Sequence, residues 1–205
     1  NILFEHCASG GGRFDMGMLS YCPQIQASDS NDAVERVFIN YASTYAYPLS
    51  CIGSHAFSGA LLPYYAKCAI ALFGTYGYEM NPVNLNKEDI AQINEIAELY
   101  KKYHLDCIQN GDLYRMESPY ETNHMSMICV AKNKEKAIAI FFNKRRESNL
   151  SRFIKFDGLD DETLYQNSLD GKIYSGKQLR LVGINLIKWL EEFETIVITF
   201  DKVEN

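Results

Sequence analysis

The chain is short of basic residues, has a single tryptophan (Trp189), and contains no long apolar run. Twenty Lys and Arg stand against 26 Asp and Glu, giving a formal net charge of −6 and a pI near 5.3. A nucleic-acid groove needs clustered Lys and Arg to neutralise phosphates, so this balance excludes such a groove as the main task. The longest apolar run, around Cys68 to Phe73, falls far short of the roughly 20 residues of a membrane-spanning helix. No CxxC pair occurs, and Ser9 is not in a Gly-x-Ser-x-Gly elbow, which argues against a redox dithiol and a serine nucleophile. The sequence opens on Asn1 with no basic-plus-apolar leader, so no targeting signal is visible and Asn1 is not expected to be the native start.

What is present is enough for a real core. At 205 residues, 47% of them apolar, the chain allows one large domain or two small ones. Its six cysteines are scattered, several inside apolar runs, and are read as small hydrophobes in a reducing, cytoplasmic setting. Residues 1–4 read as a buried strand and 7–31 as a long loop with short extended pieces. Asp32 starts a helix whose buried face is expected at Val34, Val37, Phe38, Tyr41, Ala42 and Tyr45. Pro48 ends it. Leu49 to Ile52 reads as a short strand and Ser54 to Leu61 as a loop, while Tyr65 to Phe73 is helix or buried strand. Asn86 caps a helix running to about Tyr103, with Ile90, Ile93, Ala97 and Tyr100 on one face. Beyond it, Met125–Ala131 and Ala137–Asn143 flank a polar turn as a β-hairpin, and further strands are expected at 153–156, 164–167, 172–174 and 195–200. Leu179 to Leu190 stays ambiguous. The pattern is α/β followed by all-β.

The chemistry concentrates between Glu5 and Asp32. Gly10-Gly11-Gly12-Arg13 lacks the Lys-Ser/Thr of a P-loop and the spacing of a dinucleotide fold, so the glycines serve a tight turn or bring backbone close to a ligand. His6, Cys7, Cys51 and His55 fit no closed zinc spacing. Asp29 and Asp32 are the carboxylates of interest. Either could be a helix-start residue, and either could be a general acid at a strand end.

The stretch CASGGGRFDMGMLSYCPQIQASDSNDAVER, Cys7 to Arg36, closely resembles the signature of glycoside hydrolase family 36, the retaining α-galactosidases. Tyr47-Pro48, Gly53-Ser54-His55 and Phe73-Gly74-Thr75-Tyr76-Gly77-Tyr78-Glu79 resemble later family segments in the same order. Asn110 to Arg115 and Tyr174-Ser175-Gly176 resemble the junction to the C-terminal domain and that domain itself.

The resemblance implies a partial (β/α)8 barrel, its last strands in residues 1–108, followed by an antiparallel β-sandwich domain in 109–205. It implies that Asp29 is the general acid/base and that Cys7 and Gly10 contact galactose, with Arg13 and Asp15 as loop organisers. The implied substrate is a terminal α-galactosyl residue of an oligosaccharide such as melibiose or raffinose. No cofactor, metal, nucleic acid or membrane is implied, and family members commonly form homo-oligomers. Two positions depart from the family. Its signature tryptophan is Gln26 here, which implies a subsite wall without its indole, and Cys68 stands where a His is usual. The family's nucleophile, in a Lys-Trp-Asp segment, has no counterpart in the chain. The chain is therefore expected to be the C-terminal piece of a longer enzyme and inactive alone. The alternatives are a non-catalytic carbohydrate-binding or assembly protein, or a galactosyl transferase of the same superfamily.

Overall fold

The computed structural model describes residues 2–7, 14–59, 62–146, 152–186 and 190–204. They form two compact units, Asn1–Lys102 and Tyr103–Asn205.

The first unit alternates short parallel strands with helices. Strands β1 (Glu5–Cys7), β2 (Gln24–Gln26) and β3 (Ile52–Gly53) pair in parallel in that order. Strand β4 (His55–Phe57) pairs in parallel with β5 (Gly77–Glu79). Ser54 alone separates β3 from β4, and Thr75 N donates to Ile52 O (3.0 Å) while Gly77 N donates to Ser54 O (3.2 Å). Residues 52–57 thus form one extended run between β2 and β5. Helix α1 (Ala33–Ser43) links β2 to β3, α2 (Tyr64–Leu72) links β4 to β5, and α3 (Lys87–Leu99) follows β5. Parallel strands need crossovers of this kind.

Asp32 is the N-cap of α1, its Oδ1 accepting from Val34 N (3.0 Å) and Glu35 N (3.1 Å). The buried face keeps Val37 and Tyr41 of the expected one but turns away from Val34, Phe38 and Ala42. It runs through Ala33, Arg36, Val37, Asn40 and Tyr41, and Tyr45 is 67% exposed. Two polar side chains turn inward because partners wait there, which a count of apolar residues does not register. Helix α2 is buried nearly all round, from Ala66 to Leu72, so no amphipathic period separates it from a core strand. Asn86 and Asp89 form a reciprocal capping box on α3, where Ile96 is the fully buried position and Ile90 stays 44% exposed. The helix continues as a π-helical stretch, Tyr100–Gln109.

Three local expectations fail. Leu49–Cys51 is a 3-10 helix rather than a strand, and β3 begins only at Ile52. Ile2, Leu3 and Phe4 are not a buried strand. The ladder begins at Glu5, opposite Gln24, and leaves all three exposed. The supposed loop after Ser54 contains β4, held by β5 rather than by any pattern of its own.

The second unit is antiparallel throughout. Strands β6 (Asp112–Glu117), β7 (His124–Val130), β8 (Lys136–Asn143), β10 (Leu164–Asn167), β11 (Ile173–Ser175) and β13 (Thr195–Lys202) form one six-stranded sheet, ordered β11-β10-β13-β8-β7-β6. Strands β9 (Arg152–Ile154) and β12 (Ile184–Leu186) form a separate pair, and α4 (Gly176–Leu181) fills the ambiguous region before β12. Alternate residues of β7, β8 and β13, among them Ile128, Phe141 and Phe200, share one core with Ile154, Leu179 and Ile184 from the second layer. Each such side chain contributes about 1.5–3 kcal/mol on full burial. The β7–β8 hairpin closes through Lys134 at φ 59.

Candidate active site

The C-terminal ends of parallel strands are where an α/β fold presents its site. Here β1 ends at Cys7, which pairs with Gln26, the last residue of β2. Three residues later the chain reaches Asp29, and the Cys7 thiol lies 3.7 Å from Asp29 Oδ1. Both residues are exposed. The two carboxylates that local pattern left open have different surroundings. Asp32 is occupied as the helix cap, while Asp29 faces Cys7 at the strand ends.

The loop carrying Asp29 is braced from several sides. Arg36 Nη2 donates to Ser28 O at 2.7 Å and to Asn31 Oδ1 at 3.3 Å. Ser30 N donates to Ser28 Oγ at 3.1 Å, and Asn31 Nδ2 donates to Glu79 Oε2 at 2.9 Å. The other Glu79 oxygen lies 2.6 Å from His55 Nδ1, and His55 Nε2 is 3.7 Å from Glu5 Oε2. Gln24 Nε2 donates to that same Glu5 oxygen. Burial pushes the Arg36 guanidinium below its ordinary pKa, opposed by the charges of Glu79 and Asp29.

Gln26 is not an open wall. It is 7% exposed, and its amide fits between the Gly53 carbonyl and Arg36. Turned to satisfy both ends, it donates to Gly53 O at 3.3 Å and accepts from Arg36 Nη2. Asp15 organises its own turn, its Oδ1 accepting from Met18 N at 3.0 Å. Tyr47 OH donates to Phe14 O at 3.3 Å, with the two rings 4.2 Å apart. Cys68 is fully buried in α2, where burial pushes its thiol up to about 11 against a hydrogen bond with Tyr76. Ser9, Gly10 and Arg13 lie outside the described residues. Among the described residues, no group of three His, Cys, Asp or Glu could hold a metal, and no helix is long and apolar enough to cross a membrane.

Sequence reasoning missed the roles of Glu5, Asn31 and Glu79. Strands of three residues carry no readable period. The one available signal was that His55 and Glu79 both fall within segments already singled out.

The family profile for Melibiase matches residues 1–111. The chain belongs to the melibiase family, glycoside hydrolase family 36. The profile for the glycosyl hydrolase family 36 C-terminal domain matches residues 124–200. The bifunctional alpha-galactosidase/sucrose kinase AgaSK of Mediterraneibacter gnavus is 33% identical over 211 residues, covering 100% of this chain and 22% of that protein. Alpha-galactosidase AgaA of Geobacillus stearothermophilus is 32% identical over 193 residues, covering 91% of this chain and 26% of that enzyme. The crystal structure of the family 36 α-galactosidase AgaB from the same organism superposes with a TM-score of 0.93 at 32% identity, over 98% of this chain and 29% of that one. A variant of AgaA in complex with raffinose superposes with a TM-score of 0.91 at 31% identity, with the same coverage. This melibiase-family chain thus spans about a quarter of the length of the curated relatives it matches.

Proposed function

We propose that the chain carries the acid/base part of the active site of a retaining α-galactosidase, which hydrolyses terminal α-galactosyl residues of oligosaccharides such as melibiose and raffinose. The observation that carries this reading is the Cys7–Asp29 pair at the ends of adjacent parallel strands, at two positions of the family signature. The strand–helix alternation supports reading residues 1–108 as the last part of a (β/α)8 barrel. The antiparallel sheet with its smaller second layer supports a β-sandwich domain in 109–205. Six free cysteines favour a reducing, cytoplasmic setting.

In a retaining mechanism two carboxylates flank the scissile bond, about 5–5.5 Å apart. Asp29 protonates the departing glycosidic oxygen while a nucleophilic carboxylate from the rest of the enzyme forms the covalent galactosyl intermediate. Asp29, now a carboxylate, then takes a proton from the water that hydrolyses that intermediate. Cys7 and Gly10 contact the galactose and hold its anomeric carbon between the two carboxyls. The AgaA complexes with raffinose and stachyose support this substrate class.

The test is a pair of variants in the parent enzyme. Asp29→Ala should abolish melibiose cleavage, sparing the first step on an aryl galactoside whose phenol leaves without protonation. Added azide should then rescue turnover as the α-galactosyl azide, because azide displaces the nucleophile from the covalent β-galactosyl intermediate, inverting it a second time, and needs no proton removed. If Asp32→Ala shows this behaviour and Asp29→Ala is nearly wild type, the assignment is wrong.

A further inference from the structure

One buried cation grips the Asp29 loop on both sides. Arg36 is 1% exposed, and its Nη2 reaches Ser28 O, immediately before Asp29, and Asn31 Oδ1, two residues after it. Asn31 passes the restraint on to Glu79 and through it to His55 on β4. The Gln26 amide supplies a further acceptor for the same Nη2, at the position where the family signature has a tryptophan that can only donate. The Nε and Nη1 atoms of Arg36 are buried without a hydrogen-bond partner. Filling this space calls for no charge, and an apolar side chain would avoid the desolvation penalty. The guanidinium does what an apolar residue could not, tying the backbone before Asp29 to the side chain after it.

We propose that Arg36 is a positioning residue for Asp29, holding the acid/base carboxyl at the strand ends through Ser28 and Asn31, and that Gln26 is its acceptor rather than part of the substrate wall. This rests on reading Asp29 as the acid/base. A proton donor must meet the departing oxygen within hydrogen-bond reach, and small displacements are expensive in rate. Loosening the 28–31 loop should therefore damage the step that needs the proton and spare the step that does not.

The experiment compares Arg36→Lys, Asn31→Ala and Asp29→Ala in the parent enzyme, on melibiose and on 2,4-dinitrophenyl α-galactoside. The value of kcat/KM reports the first covalent step for both substrates. For Arg36→Lys and Asn31→Ala, kcat/KM on melibiose should fall about 10- to 100-fold, with a loss of less than about three-fold on the dinitrophenyl substrate. Asn31 is less buried than Arg36, so Asn31→Ala carries the test if Arg36→Lys does not fold. Equal losses on the two substrates, or none on either, overturn the proposal. If Asp29→Ala shows the split and neither positioning variant does, only the role of Arg36 is lost. If Asp29→Ala itself shows no split, the acid/base assignment falls first and takes this proposal with it.

Discussion

The Cys7 thiol and the Asp29 carboxyl meet at 3.7 Å across the ends of β1 and β2, both open to solvent. If Asp29 is the acid/base proposed above, a sugar docking at this edge would meet a soft, weakly polar sulfur and the acid/base carboxyl together. The parallel register places them so, since Cys7 pairs with Gln26 and the chain turns outward three residues later.

That exposure sets Cys7 apart from most of the other thiols. Cys51, Cys68, Cys107 and Cys129 are buried, and burial raises each above its ordinary pKa, to about 11 for Cys68 and about 12 for Cys107. The thiolate is the reactive form, so these four should alkylate slowly. Brief iodoacetamide treatment followed by peptide mapping should find Cys7 modified, with Cys22 next and the four others largely unmodified. Labelling of Cys68 ahead of Cys7 would show that α2 opens more readily than its packing implies.

The isolated chain should not turn over an aryl α-galactoside, even at high protein concentration. Covalent catalysis needs a second carboxylate beside the anomeric carbon. The nearby Glu5 and Glu79 are committed to His55, Gln24 and Asn31. Turnover by the chain that disappears in Asp29→Ala would mean that one of these carboxylates serves as nucleophile.

Gln26→Trp should act on stability rather than on sugar binding. The side chain is buried with no slack around it, since a Cβ placed on Gly53 would come within 2.7 Å of the Gln26 side-chain amide. Forcing an indole into this space should cost about 1–3 kcal/mol, as overpacking usually does. A thermal melt should show a lower Tm, and in the parent enzyme the KM for raffinose should change no more than the KM for an aryl galactoside. An unchanged Tm with a selective change for raffinose would return position 26 to the substrate wall.

Much of the architecture could be read from local chemistry. Asp32 and Asn86 were recognisable as caps because their carboxyl and amide oxygens satisfy orphan N–H groups within a few residues. The β7–β8 hairpin announced itself by two apolar runs around Lys132 to Glu135. What escaped depended on partners distant in sequence. Ile2 to Phe4 look like a strand, yet pairing starts only at Glu5. Arg36 and Asn40 sit on the helix face that apolar counting assigns to solvent. They are buried because Ser28 O and Ser54 Oγ accept from them. At the site itself, local pattern left Asp29 and Asp32 open and only the family resemblance favoured Asp29, while the cap geometry accounts for Asp32 alone.

The last prediction concerns the corner where α4 meets the loop before β10. Arg180 grips Asp161 with both arms of its guanidinium, Nε to Oδ1 at 3.0 Å and Nη2 to Oδ2 at 2.6 Å. The hydrogen bonds from Arg180 hold the Asp161 carboxyl below the usual carboxylate range, with the charges of Arg180 and Lys177 acting the same way. A carboxyl whose folded pKa is depressed contributes stability above its unfolded value, about 3.9, and loses that contribution as pH falls through the folded value. The pair is exposed, so its contribution is small and screened by salt. The corner is otherwise rigid. Gly176 N donates to Thr163 O at 3.0 Å, and a Cβ on Gly176 would come 2.0 Å from Asp160 O. Loss of the ion pair should therefore loosen α4 locally without unfolding the sheet. Amide exchange at Val182 and Gly183, which close the end of α4 on Gln178 O, should be faster in Arg180→Met than in wild type at pH 6 and low salt. Because intrinsic exchange varies with pH, the quantity to follow is the ratio between variant and wild type. That ratio should approach one as pH falls through the depressed folded pKa of Asp161, and also in about 1 M salt at pH 6. A ratio that stays constant across pH would show that Arg180 supports α4 through packing of its stem and not through Asp161.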